Sequence, residues 1–100
     1  MTVTELAEVL SALASPPRMR VLDALVGRRL HVSELARRVG MSRPLLYGHL
    51  AKLEQAGLVV GHLSVSPDGK ALKHYELVPF DLHLTPEVIA QAVAATPEGD

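Results

Sequence analysis

The stretch from Ser42 to Val60, SRPLLYGHLAKLEQAGLVV, constrains the fold more than any other part of the chain. It carries a start, a repeat and a stop for one helix. Ser42 is a good N-cap, because its side-chain oxygen accepts a free backbone N–H of the first turn. Pro44 is tolerated in that turn, where its missing donor costs little. Leu46, Leu50 and Leu53 recur at i, i+4 and i+7, a single apolar stripe. Gly57 follows the last turn, a place where glycine takes positive φ cheaply. Leu58, Val59 and Val60 then form a short β-prone run. The segment predicts an amphipathic helix, buried along one side, that passes directly into a strand.

The residues just before it predict a second, shorter helix. Ser33 to Val39 reads SELARRV, with Ser33 as its expected N-cap and Leu35, Ala36 and Val39 as its buried stripe. Gly40 and Met41 make the turn between the two. A short helix, a glycine-containing turn and a longer helix is the helix-turn-helix plan. An ordinary helical hairpin in a small all-α domain has the same spacing.

The remaining chain supplies two flanking helices and a hairpin. A first helix is expected over about Thr4 to Ala14, with Val3, Leu6, Ala7, Leu10, Leu13 and Ala14 on one face. Pro16 and Pro17 break it and start another, to about Val26, with Val21, Leu22, Leu25 and Val26 inward. Leu30, His31 and Val32 read as a short extended segment. Strands over about Val59–Ser66 and Ala71–Val78 flank Pro67-Asp68-Gly69-Lys70, a strong turn signal. Thr85 caps a last helix from Pro86 to about Ala95, with proline at N1. The expected organisation is one domain over residues 1–95, mainly α with a small β-hairpin (α+β), and a flexible tail over 96–100.

Charge and composition narrow the function. From Arg28 to Lys52 there are six basic residues and one acid, a local +5; from Glu76 to Asp100 there are five acids and no Lys or Arg, a local −5. These nearly cancel in a net charge of −1. A basic middle that overlaps a helix-turn-helix is the electrostatic footprint of a phosphate-binding face. Hydrophobic residues make up 48% of the chain, while a chain this short buries only about 60–65% of its unfolded surface. Part of that apolar surface is therefore expected to meet another subunit. No apolar run is long enough to span a bilayer and no basic start precedes an apolar middle, so a cytoplasmic protein is expected. The absence of cysteine excludes disulfides, thiol redox switches and thiolate metal sites.

At this point the chain resembles a known family, the ArsR-type winged-helix repressors of bacteria and archaea. Ser42, Leu46, Tyr47, His49, Leu50, Leu53, Ala56, Gly57, Leu58 and Val59 occupy the positions of that family's helix-turn-helix pattern. Leu13-Ala14-Ser15-Pro16-Pro17-Arg18-Met19-Arg20-Val21-Leu22 resembles its upstream motif, and His74-Tyr75-Glu76-Leu77 the motif that closes its wing. The likeness spans roughly residues 6 to 78. The chain departs from the pattern at Tyr47, where serine is usual, and at Gly48, where a polar or basic residue is common. Both positions tend to face DNA in the family, so its base readout does not carry over.

The resemblance implies a winged helix-turn-helix regulator of transcription, a homodimeric repressor that binds double-stranded DNA. The helix after Ser42 would lie in the major groove. Arg43 is suited to guanine O6 and N7 or to phosphate, and Leu45 to a thymine methyl or the edge of the core. Ser42, Pro44, Tyr47 and Gly48 complete the expected DNA face, with Arg37, Arg38, Lys52 and Lys70 as phosphate candidates or plain solubilising charges. His49 is expected to be packed and hydrogen-bonded. The terminal helices would form the dimer through Leu6, Leu10, Leu13, Val88, Ile89, Ala92 and Val93; the same residues also suit covering the subunit's own core.

Relatives in this family bind metals through a cysteine motif or through a last-helix Asp-x-His…His-x-x-(His/Glu) pattern. The first is absent, and the second is only half present, in Asp81-Leu82-His83, ahead of Pro86 and without partners near Ala94 and Pro97. His31, His49, His62 and His74 fall on different elements without ligand spacing. No metal and no cofactor are therefore expected, and any effector would be a small organic molecule or a partner protein. No phosphate-binding glycine loop, HExxH or cysteine nucleophile recommends an enzyme. The competing class is a winged helix used for protein interaction, with Leu45, Leu46 and Tyr47 as an apolar patch.

Overall fold

The computed structural model describes residues 1–97. Its elements run α1 (Val3–Leu13), α2 (Pro16–Ala24), β1 (Leu30–His31), α3 (Val32–Val39), α4 (Arg43–Gln55), β2 (Val59–Val65), β3 (Ala71–Leu77) and α5 (Pro86–Ala94). The three strands form one antiparallel sheet in the order β1-β3-β2. With α3 and α4 as the helix-turn-helix and β2–β3 as the wing, this is a winged helix-turn-helix fold, as expected.

Helix ends follow the local chemistry. Ser15, Ser42 and Thr85 cap α2, α4 and α5, each side chain accepting a backbone N–H from three residues on. Thr2 and Glu5 form a reciprocal capping box on α1. The two glycines around the helix-turn-helix close their helices the same way. At Gly57 (φ 76°) the N–H of Gly57 donates to Glu54 O and that of Leu58 to Leu53 O. At Gly40 (φ 67°) the N–H of Gly40 donates to Arg37 O and that of Met41 to Ala36 O. Each pair satisfies carbonyls that the helix end would otherwise orphan.

Five local expectations change. Helix α3 begins at Val32, with His31 at the N-cap making no side-chain cap bond, so Ser33 is inside the helix. Leu30 and His31 are instead held by pairing with Tyr75 and His74 of β3. Val26 is exposed, because α2 ends at Ala24 and the chain turns through Gly27. On α1 the core side runs through Leu6, Val9 and Ala12, whereas Ala7 and Ala14 point outward. The helix is apolar on two sides, so spacing alone does not choose between them. The tail expected from 96 is anchored at its first residue: Thr96 Oγ1 accepts the Val3 N–H at 2.8 Å and donates to Ala92 O at 2.8 Å. Pro97 is exposed, and residues 98–100 lie outside the described residues.

The core lies behind α4. Leu46, Leu50 and Leu53 are fully buried and meet Leu35 of α3, Val21 of α2 and Leu25 at its C-cap, and Leu58, Val59 and Tyr75 at the base of the wing. Gly61 of β2 sits opposite Tyr75. A Cβ there would lie 3.0 Å from Tyr75 Cε1 and 2.8 Å from Lys73 Cε. The lysine tip can move aside, but the buried ring cannot. Gly61→Ala is expected to lose about 1–3 kcal/mol by overpacking, read as a lower Tm; an unchanged Tm would mean that the wing base has slack.

Candidate nucleic-acid interface

Burying one side of α4 fixes what its other side presents. With Leu46, Leu50 and Leu53 inward, Arg43, Pro44, Leu45, Tyr47, Gly48 and Lys52 are all exposed. Leu45 is 55% and Tyr47 45% exposed, so neither belongs to the core. Ser42 is exposed as well, though its hydroxyl is engaged by the Leu45 N–H at 3.3 Å.

The expected phosphate ligands differ in how free they are. Arg37 and Arg38 both engage Glu34 on the same helix, Arg38 at 3.1 Å. Lys70 at the wing tip lies 4.0 Å from Asp68, both well exposed. The Ser66 hydroxyl, bonded to Asp68, holds that carboxyl below its usual range, so Asp68 stays charged. Arg43 and Lys52 have no carboxylate within ion-pairing distance among the described residues.

One side chain that the sequence reading passed over joins this face. A groove between the start of α4 and the wing is lined by His31, Ser33, Arg43, Tyr47, Leu63 and Lys73. Lys73 sits 5.3 Å from the centre of the Tyr75 ring. Tyr75, chiefly through its hydroxyl, holds the Lys73 ammonium above its ordinary range, so it remains cationic. The signal was available: Lys73 is two residues from Tyr75 on β3, hence on the same sheet face. Leu63 and Val65 of β2 are also exposed.

The histidines are closer than their spacing suggests. His31, His74 and His62 are register partners in one row across the sheet. The rings of His31 and His74 lie 4.1 Å apart with a 35° tilt, and each Nδ1 is buried without a hydrogen-bond partner. His62 Nε2 instead meets Glu76 Oε1 at 2.6 Å. Among the described residues no three His, Asp or Glu side chains gather to hold a metal ion. Asp81 and His83 are exposed in the non-helical segment ahead of α5. His49 is half-buried and hydrogen-bonded to Arg18, as its place on α4 led one to expect.

The terminal helices pack on each other. Leu6 and Ala92 are buried within the chain itself, Leu10, Leu13 and Val88 are half-buried, and Ile89 and Val93 are exposed. Among the described residues no helix is long and apolar enough to cross a membrane.

A capped helix-turn-helix with a solvent-facing second helix and a flanking wing defines a winged-helix regulator. The family model for the bacterial regulatory protein arsR family matches residues 15–60. The chain is 33% identical over 89 residues to an HTH-type transcriptional regulator of Methanocaldococcus jannaschii, covering 89% of this chain and 93% of that one. Among solved structures it is similar to the transcriptional repressor BigR from Xylella fastidiosa, with TM-score 0.58 and 27% identity over 92% of this chain and 82% of that one. Its fold also matches a homodimeric winged helix-turn-helix DNA-binding domain from Mycobacterium bovis, with TM-score 0.63 and 24% identity over 91% and 73% of the two chains. The chain belongs to the ArsR family of transcriptional regulators.

Proposed function

We propose that this regulator binds a specific duplex DNA sequence as a homodimer and represses transcription by occupying its site. The observation that carries the reading is the two-sidedness of α4. Its inner leucines are fully buried, which leaves Arg43, Leu45 and Tyr47 on the first two turns facing outward with Lys52 further along. A helix in the major groove reads base edges from its first turns, so Arg43 is the base-reading candidate and Leu45 the thymine-methyl candidate. Ser42, Pro44, Tyr47 and Gly48 line the groove wall; Lys52, Lys70, Arg37 and Arg38 meet phosphate. The BigR likeness supports repression, and such a protein works in the cytoplasm beside the DNA, without enzymatic chemistry or a cofactor. Arg43→Ala is expected to weaken binding by about 1–3 kcal/mol and to relax preference at one base position. Uniform weakening across sequences, measured by fluorescence anisotropy on a duplex panel, would reassign Arg43 to phosphate.

The dimer would form through α1 and α5. Leu10, Val88, Ile89 and Val93 leave an apolar strip that the chain covers only in part, Leu13 packs against the chain's own core instead, and Leu6 and Ala92 are buried where the two helices meet. A protein of the same fold from Mycobacterium bovis is homodimeric, which supports a dimer without locating its interface. A two-fold dimer should bind an imperfect palindrome with half-sites about 34–36 Å apart. Removing the residues after Pro86 is expected to give a monomer in sedimentation; a truncated dimer would put the interface elsewhere. A small organic effector, if one acts, would lodge between the terminal helices, where Met1, Leu6, Leu82 and Val88 line a hollow. A second reading, a protein-docking surface, is favoured by the exposed Leu45, Tyr47, Leu63 and Val65.

A further inference from the structure

Arg18, half-buried in the first turn of α2, makes hydrogen bonds in two directions. Its Nε donates to Ala12 O at 2.7 Å and its Nη2 to Ser11 O at 3.1 Å. Its Nη1 donates to His49 Nδ1 on α4 at 3.3 Å. The first two bonds complete the end of α1. The last four carbonyls of a helix lack internal donors. Here Leu10 O is taken by the Ala14 N–H and Leu13 O by the Ser15 N–H, which leaves Ser11 O and Ala12 O for Arg18. The last turn of α1 holds no basic residue of its own, so the guanidinium also supplies the cation that a helix C-terminus favours.

The third bond joins that helix end to the recognition helix. His49 lies beside the apolar stripe of Leu46, Leu50 and Leu53, and its Nδ1 must accept, which puts its proton on Nε2. The stripe attracts without direction. A hydrogen bond has direction, weakening steeply as it bends. One planar guanidinium thus ties α1, which packs on α5, to α4.

We infer that Arg18 is a positioning residue which, through His49, sets the angle of α4 against α1 and so the separation of the two recognition helices in the dimer. This rests on the dimeric DNA-binding reading given above. It gives Arg18 a role in choosing operator spacing without any contact to DNA.

The test uses the full chain and a set of duplexes. Half-sites selected by the wild-type protein from a random library are placed at separations stepped one base pair at a time around about 10 base pairs. Wild type is expected to prefer one separation about tenfold over its neighbours. In Arg18→Gln and in His49→Leu that preference should fall to about twofold or less, with binding to an isolated half-site unchanged. His49→Asn, whose amide oxygen can accept from Arg18 where Nδ1 did, should keep it. If Arg18→Gln fails to fold, the contrast between His49→Leu and His49→Asn carries the test. Equal weakening at every separation, or a full preference in His49→Leu, overturns the inference. A wild-type protein that binds no duplex fails one step earlier, and takes the DNA reading and this inference down together.

Discussion

Raising the salt from 50 to 200 mM is expected to weaken operator binding about a thousandfold. Lys52, Lys70 and Lys73 are the lysines of the proposed DNA face, Lys52 and Lys73 with no carboxylate in ion-pairing distance among the described residues and Lys70 4.0 Å from Asp68. In two subunits they neutralise about six phosphates, and each released counterion contributes about −0.9 to the slope of log K against log salt. Arg37 and Arg38 add to that slope only by leaving Glu34, which is easy, since an exposed ion pair is worth about 0–1 kcal/mol. Glu34→Gln should therefore tighten binding at low salt. Anisotropy titrations across salt check both statements. A flat salt dependence would sink the DNA reading and favour a protein docked on Leu45, Tyr47, Leu63 and Val65, because burial of apolar surface releases no counterions.

Parts of the fold readable in the sequence are those decided by neighbours along the chain. Ser42, Gly40 and Gly57 act within a few residues of themselves, and the end of α3 and both ends of α4 fall where they predict, whereas the start of α3 does not fall at Ser33. The inner stripe of α4 was legible for the same reason, since it follows from one helix period. Features decided across the chain were not. The pairing of β1 with β3 rests on two residues, too few to carry a pattern. It is this pairing that stacks His31 on His74 and sets His62 beside them, although the three are far apart in sequence. Arg18 stood in a recognised motif without a role, because its partners Ser11, Ala12 and His49 lie on two other helices. Val26 was placed inside because helix periodicity continues to it, whereas the helix itself stops before it.

Leu50→Ala is expected to destabilise the fold by about 2–5 kcal/mol, and Leu45→Ala by less than about 0.5 kcal/mol. Both are leucines on α4, five residues apart, so helix propensity cancels from the comparison. What differs is burial: Leu50 is 0% exposed and meets the cluster from α2, α3 and the wing base, whereas Leu45 is 55% exposed. Alanine at Leu50 leaves a cavity that these elements can only partly close, because the α4 backbone is held by its caps at Ser42 and Gly57. A domain of this size has about 5–15 kcal/mol in total, so the loss is a large fraction of it. At about 4–8 °C per kcal/mol, Tm should fall by roughly 10 °C or more. The two melts must be run at equal protein concentration, since the Tm of a protein that dimerises rises with concentration. In DNA binding the order should reverse. Leu45→Ala should weaken the operator complex while the fold stands, and Leu50→Ala should bind normally at temperatures where it is still folded. Equal melting of the two variants would mean that α4 is rotated from the orientation described, with Leu45 sharing the core and the outward face reassigned.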